Sequence, residues 1–485
     1  WLATDEGLNL FDKENSSFIR FTNSNSGLPD NVIYSVYQTR EGKYWIGTVF
    51  GLATGTRTHF PKFDNSIARL SSNSVNAFGE TYDGSLWVGT DDGLNRLRDG
   101  KNEFEWINES TEPSISSSTV MSLLGEVGIL WVGTYNGGLN RLNIRDNEVE
   151  IFRHNPFDDT SIGADGITSI LRTTKGQLFV GTYGGGLSIY DEEKSIFTSY
   201  RHDPKDSSSI TNDMVIALYE DSLGYIWIGT ENGLNRFDPV KKEFKSFFMD
   251  KSNADSISSD MVWAFYEDKD GTLWLGTAGG SLNSWAIQDR VISRPFFRNY
   301  SEGISLPSSN IYGIESDQYG NLWLSHNRGV TRFNPTTKES RQYGIRDGLQ
   351  DSEFNMGAAF KASDGVIYFG GNRGFNTIHP GDLQEESKPP IVSISAIKIM
   401  NERKQFEDPY YNLKKLELGY QDRMLTVEFF AADFSNPDLV NYAYKLEGIH
   451  PDWVISEDSR VASFTTLPPG RYKLRLAAAS PDGVW

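Results

Sequence analysis

Apolar and polar residues alternate in short runs along most of this chain, and each run ends at a turn carrying Gly, Asn or Asp. Alternation with period two predicts strands, and Asp-Gly or Asn-Gly between two such runs predicts tight hairpins. The runs recur in sets. A leading aromatic followed by x-Gly-Thr, or a close variant, appears at Trp1, Trp45, Trp87, Trp131, Phe179, Trp227, Trp274, Trp323 and Tyr368, with spacings of 44, 42, 44, 48, 48, 47, 49 and 45 residues. A period in the forties is that of one four-stranded propeller blade. Nine residues before most of the aromatics, Val36, Phe78, Ile170, Leu218, Phe265 or Ile314 closes a first strand. A first turn follows, as at Asp83-Gly84, Asp270-Gly271, Asp364-Gly365 and Gly320-Asn321. The aromatic run is the second strand. A second turn, as at Gly137-Gly138, Asn232-Gly233 and Gly279-Gly280, leads to LNRF-like third strands, and segments such as FKSFF, IFTSY and EIFRH form the fourth.

A small sheet cannot bury both faces alone, so blades stack around an axis and the large aromatic fills the wedge between neighbours. Burying one Trp removes about 150–250 Å² from water, worth roughly 4–6 kcal/mol as an upper bound. A sugar-stacking platform would concentrate aromatics in a few repeats. Here nearly every repeat has one, so Trp45, Trp87, Trp131, Phe179, Trp227, Trp274, Trp323 and Tyr368 are read as blade core.

The unit acid-Asp-x-x-Gly-x-Leu-Trp-apolar-Gly-Thr-x-x-Gly-Leu-Asn-Arg-Phe-Asp is clearest at Glu220 to Asp238 and at Glu267 to Asn283. It resembles the two-component regulator propeller repeat, and the resemblance covers about residues 1–380. The period stops after Pro380, and from Pro389 the strands lengthen: IVSISAIKI, MLTVEFFAA, NYAYKLEG, ASFTTL and YKLRLAAA. Longer alternating strands with no helical run predict a β-sandwich. Tyr442-x-Tyr444-x-Leu446-Glu447-Gly448, Trp453 and the LPPGRY segment ending at Tyr472 resemble the Y_Y_Y domain, an immunoglobulin-like module. Its tyrosines Tyr442, Tyr444 and Tyr472 are read as packing residues with satisfied hydroxyls.

The expected fold is all-β. Residues 1–55 form the tail of a truncated propeller, and 56–380 form a seven-bladed β-propeller led by Trp87 to Tyr368, with residues near 60–70 supplying its closing outer strand. A linker at 381–388 then precedes a Y_Y_Y immunoglobulin-like sandwich at 389–485 that lacks its last strand. The family resemblance, which implies two consecutive seven-bladed propellers, favours this count over a single eight-bladed ring.

Charge and composition narrow the function. Among 485 residues, 46 Lys and Arg face 65 Asp and Glu, and the net charge of −19 opposes binding to nucleic acid or to anionic membrane surfaces. With no Cys there is no disulfide, no thiolate nucleophile and no Cys-ligated zinc. No stretch approaches the ~18 apolar residues of a membrane helix, so membrane attachment is expected only through a segment outside these residues.

The six histidines, His59, His154, His202, His326, His379 and His450, show no metal-ligand spacing. His154 and His202 lie in matching loops, FRHNPFDDTSI and YRHDPKDSSSI, which points to loop stabilisation. Asp221 and Asp268 recur at one repeat position and are read as turn caps. No unique carboxylate pair, nucleophile elbow or phosphate loop stands out, so no catalytic residue, metal or cofactor is expected.

What varies between repeats is more informative. Two positions before the end of strand one stand Tyr34, Asn76, Thr168, Ile216, Trp263 and Tyr312, beside a column of small residues: Ser35, Ala77, Ser169, Ala217, Ala264 and Gly313. The second turns carry Tyr135, Tyr183, His326, Arg328, Asn372 and Arg373. In a propeller these turns and the start of strand one share a face. Trp263, Tyr312, His326, Arg328, Asn372, Arg373, Tyr135 and Tyr183 are therefore the candidate ligand-binding residues, suited to a sugar or an anionic saccharide.

The resemblance implies the periplasmic sensing portion of an inner-membrane receptor. That receptor would recognise an oligosaccharide or another small extracellular ligand, dimerise through the sandwich, and signal through a cytoplasmic histidine kinase or diguanylate cyclase. On this reading the present segment is not itself an enzyme. A secreted propeller enzyme acting on polysaccharide and a protein-interaction scaffold are the alternatives.

Overall fold

The computed structural model describes residues 1–13, 16–39, 43–55, 60–98, 103–300, 306–384, 389–406, 408–432, 440–456, 459–479 and 485. His59 lies outside them, as does much of the expected linker. The chain divides into two units, 58–383 on one side and 1–57 with 384–485 on the other.

Among the described residues of the larger unit there are seven four-stranded antiparallel sheets. Their inner strands are Val75–Glu80, Val120–Gly125, Ile167–Arg172, Val215–Glu220, Val262–Glu267, Gly313–Ser316 and Phe354–Lys361. Each inner strand lies beside the next, and the last lies beside the first, so the sheets form a closed ring of blades. Six blades draw all four strands from consecutive sequence. The seventh takes its outer strand from Lys62–Phe63, which pairs with Phe375 and Asn376.

The hydrogen bonds around the ring explain why the repeat specifies closure. In every blade a backbone N–H of the second turn donates to the loop entering the next blade: Gly93 to Ser118, Gly138 to Asp165, Gly186 to Asp213, Gly233 to Asp260, Ser281 to Ser309, Gly329 to Ser352 and Gly374 to Asn73. The seventh bond joins the last blade to the first. The turn needs positive φ, +114° at Gly233 and +102° at Gly374, and a Cβ on Gly374 would lie 2.0 Å from the Phe63 carbonyl oxygen. Glycine is the residue that meets both demands.

The aromatic column is core. Trp87, Trp131, Phe179, Trp227, Trp274 and Trp323 are buried, and Tyr368 is partly buried against Phe78 and Phe375. Trp227 shows the arrangement, packing with Val262, Leu273, Leu275 and Trp285 of the following blade. Its indole N–H donates to Asp221 at 2.8 Å, as Trp274 does to Asp268 and Trp323 to Asp317. The second oxygen of Asp221 accepts the N–H groups of Leu223 and Tyr225, both at 3.0 Å, so this carboxylate joins the first hairpin to the blade core.

The described residues of 1–55 include two three-stranded sheets, Leu2–Thr4, Gly7–Asp12 and Ser17–Phe21, then Ile33–Gln38, Tyr44–Thr48 and Gly51–Gly55. Trp45 is half-buried in the second. The C-terminal module is a sandwich of a four-stranded sheet, in which Val392–Ile399 pairs with Met424–Ala431, and a three-stranded sheet centred on Asn441–Glu447. Phe429, Val427, Phe464, Tyr442 and Leu446 meet in its core. Tyr442 is buried, Tyr444 packs edge-on to Phe464, and the Tyr472 hydroxyl donates to the Pro468 carbonyl at 2.9 Å.

Candidate functional site

One residue at or just before the start of each inner strand has a distinctive backbone setting. Pairing in the fifth blade steps from Val262 opposite Thr277 to Ala264 opposite Gly276, so Trp263 is the extra residue of a β-bulge. The same step leaves out Asn76, Met121, Thr168 and Ile216 in the first four blades. In the seventh it widens to Phe354–Ala359 and leaves out Asn355 with the three residues after it. Tyr312 of the sixth blade stands just ahead of the paired segment. Bulges re-aim side chains. Three of these reach the next blade's backbone: Asn76 Nδ2 to Val120 O at 3.1 Å, Thr168 Oγ1 to Val215 O at 2.6 Å, and Asn355 Nδ2 to Val75 O at 2.9 Å. All seven residues are half-buried, and they make a ring at the end of the axis where the second turns lie.

The ring is asymmetric. Trp263 and Tyr312 form an aromatic pair with centroids 5.2 Å apart and planes inclined by 36°. The Tyr312 hydroxyl donates to Glu353 Oε1 at 2.8 Å, and burial together with this carboxylate raises the Tyr312 phenol well above its ordinary range. Asn355 and Asn76 bring amides to the neighbouring arc, where Asn355 Nδ2 reaches Asn76 Oδ1 at 3.3 Å.

On the same face, Tyr135 and Tyr183 are half-exposed with rings 6.2 Å apart. Asn372, Arg373 and Arg328 are exposed. Arg373 pairs with Asp351 at 3.0 Å, and Arg328 Nη1 donates to the Pro307 carbonyl at 2.7 Å. The structure therefore brings Trp263 and Tyr312 together, pairs Tyr135 with Tyr183, and commits both arginines to neighbouring groups.

His326 is a correction. It is fully buried and does not belong to the exposed face. It occupies the position held in the first five blades by a Thr whose hydroxyl donates to the second turn, as Thr230 does to Gly233 O at 2.7 Å. Its Nε2 lies 2.8 Å from Thr331 Oγ1, and its Nδ1 accepts the Arg328 N–H at 3.0 Å. Thr331 in turn stands where five of the other six blades have Asn and the third has Ser188. The departure from the repeat is a paired exchange of interior residues. Burial, reinforced by Arg328, pushes His326 down to about 4. Its native pKa is below that of the unfolded chain, so its contribution to stability is present above pH ~6.5 and is lost as pH falls through about 4. Against His326→Gln in urea titrations, the native protein is expected to lose about 3 kcal/mol more stability over that window. Equal slopes would refute the burial argument.

His154 and His202 serve their loops. Their Nδ1 atoms lie 2.8 Å from Ile162 O and Ile210 O, and their N–H groups donate to Asp165 and Asp213. At the opposite end of the axis, a cleft of about 510 Å³ is lined by Glu220, Asp221, Glu267, Asp268 and Asp270. Four of its carboxylates are already engaged: Glu220 by Thr174, Glu267 by Ser222 and Arg290, Asp221 by Trp227 and Arg290, and Asp268 by Trp274. These are bonds between or within blades.

Met121, Asn355 and Glu353 are members of the exposed face that the repeat spacing did not single out. The first hairpin of the second blade is one residue shorter, and the seventh blade's bulge is wider, so counting back from the aromatic passes over them. Aligning inner strands on the Val or Phe that starts them would have found Met121 and Asn355.

Fold and face together define a closed β-propeller with an asymmetric, aromatic-lined opening, carried in one chain with a β-sandwich. Family comparison makes this specific: the chain matches the two component regulator propeller repeat at residues 27–50, 69–92, 209–232, 256–279 and 305–328, and the Y_Y_Y domain at 433–485. Over 169 residues it is 25% identical to Histidine kinase P4 of Formosa agariphila, a match covering 33% of this chain and 12% of the kinase. Its fold is similar to the extracellular domain of BT3049 from B. thetaiotaomicron, assigned to a hybrid two component system, with 23% identity and a TM-score of 0.75 over 99% of this chain and 64% of that one. The extracellular domain of BT4673 from the same organism gives 19% identity and a TM-score of 0.56, covering 99% and 65%. The chain thus spans under two thirds of these structures and about an eighth of the kinase. Among the described residues no helix is long and apolar enough to cross a membrane.

Proposed function

We propose that this chain is the extracytoplasmic ligand-sensing region of a membrane-anchored receptor whose output is a histidine kinase. The observation that carries the reading is the succession of two component regulator propeller repeats and a Y_Y_Y domain in a chain related to Histidine kinase P4. That relative favours a kinase output over a diguanylate cyclase. The ligand is an oligosaccharide, held at the opening ringed by Asn76, Met121, Thr168, Ile216, Trp263, Tyr312 and Asn355, with Tyr135 and Tyr183 at its rim. Half-buried rings beside amides suit a sugar, whose C–H faces stack on aromatics while its hydroxyls need fixed polar partners. Binding would shift a dimer joined through the sandwich between two arrangements, by preferring one of them.

A thermal-shift screen of oligosaccharides against the purified chain, followed by product analysis, tests this. One glycan class should stabilise the protein by about 2.7 kcal/mol at a hundredfold excess over its Kd, and should be recovered uncut. No stabilising glycan, or cleavage of any glycan, would overturn it.

A further inference from the structure

The charge at the aromatic part of the opening runs opposite to what the turn arginines suggest from sequence. Arg373 is paired with Asp351, and Arg328 is drawn to the Pro307 carbonyl. Several carboxylates of this face are likewise engaged. Asp91 accepts from Asn76, while Asp165, Asp213 and Asp260 accept the N–H groups of His154, His202 and Met249.

Glu353 differs. Half-buried, it receives the Tyr312 hydroxyl on one oxygen, and among the described residues it has no ion-pair partner. It stands at the hydroxyl edge of the only described Trp–Tyr pair on the ring, whose half-buried rings pack together with centroids 5.2 Å apart and planes inclined by 36°. A carboxylate beside half-buried aromatic rings is an arrangement that binds an ammonium group. The rings attract the cation through their quadrupoles within about 6 Å of their centroids, and the carboxylate supplies the formal charge. An anionic ligand would meet repulsion here, and the net charge of −19 adds to it at long range.

We propose that Trp263, Tyr312 and Glu353 form a subsite for a cationic amino group, so that the ligand is an amine-bearing saccharide such as an oligomer of unacetylated hexosamine. This rests on the saccharide reading above and narrows it. Glu353 is the specificity-determining member, and Tyr312 is the positioning residue whose hydroxyl holds that carboxylate in place.

The test is calorimetric titration of the purified chain with glucosamine oligomers, with the same oligomers N-acetylated, and with tetramethylammonium, the Trp fluorescence being followed in parallel. The free-amine oligomers should bind at least tenfold more tightly than the acetylated ones and should quench the fluorescence. Glu353→Gln should remove that preference while leaving the acetylated oligomers unaffected. Tyr312→Phe should weaken it by less, and Trp263→Phe should retain binding but change the fluorescence response. Circular dichroism melts confirm that each variant folds. If acetylated and free oligomers bind alike and Glu353→Gln changes nothing, the cationic subsite is wrong and the saccharide reading stands. If only tetramethylammonium binds, and does so through Glu353, the subsite stands and the saccharide reading falls. If none of the three binds, both are overturned.

Discussion

Replacing Arg290 with methionine should lower the stability of the propeller by about 3–5 kcal/mol, read from its urea-unfolding transition. Arg290 lies on the short helix Ile287–Val291, inserted between the third and fourth strands of the fifth blade, and its side chain is 1% exposed. Nη1 donates to Asp221 of the fourth blade at 2.6 Å, and Nη2 donates to Glu267 and to the Gly271 carbonyl of the fifth. The partner carboxylates are 0% and 7% exposed. The ion pairs themselves contribute little net stability, because removing three charged groups from water costs about as much as their attraction returns. Removing the cation alone is different, since it strands two buried anions. The triple variant Arg290→Met, Asp221→Asn, Glu267→Gln should therefore recover much of the loss. If the single and triple variants are equally destabilised, packing around the helix is what matters and the charge argument fails.

The second large effect is expected at the seam of the ring. Phe60→Ala should cost about 3–5 kcal/mol, because the ring is fully buried against Tyr343 and Trp323, with centroids 4.9 and 6.4 Å away. Its site also carries closure. Asn376 Nδ2 donates to the carbonyls of Phe60 and Pro61, both at 3.2 Å, and the Thr377 N–H donates to Pro61 O at 3.1 Å. Beyond these, among the described residues the outer strand of the seventh blade has two strand pairs, Phe63 with Phe375 and Lys62 with Asn376. Amide exchange in Phe60→Ala should rise first along Gly374–Ile378 and only later in the fourth blade. Phe157 is the control. It is 96% exposed on its loop, so Phe157→Ala should stay within about 0.5 kcal/mol of the native protein. Equal losses from Phe60 and Phe157, or uniform exchange around the ring, would refute a local seam.

The repeat carried most of the blade architecture because every blade solves one problem with one set of residues. Trp227 fills a wedge, Gly233 allows the second turn to approach the fourth strand, and Asp221 caps the first hairpin; each has counterparts at a near-constant spacing. Such roles depend on neighbours a few residues away or one period away, so they leave a periodic trace in the chain. His326 shows where that logic misleads. Its departure from the pattern reads as a surface residue, yet its partner Thr331 departs with it, and the pair is interior. A single departure from a repeat is ambiguous until the residue across the hairpin is read with it.

Order, spacing and strand identity of the blades follow from local chemistry: alternation, turn glycines and one aromatic per unit, each acting within a blade or on its immediate neighbour. The meeting of Tyr312 with Glu353, the clamp of Arg290 on Asp221 and Glu267, and the pairing of Lys62–Phe63 with Phe375–Asn376 have no local signature. The first two join residues 41, 69 and 23 positions apart, and the third crosses from one end of the propeller to the other. They arise only when the ring closes, because bulges, an inserted helix and the final seam then bring charges and rings to the same place. The acidic and aromatic character of the opening was distributed along the chain as isolated residues, and packing around one axis made it a single surface.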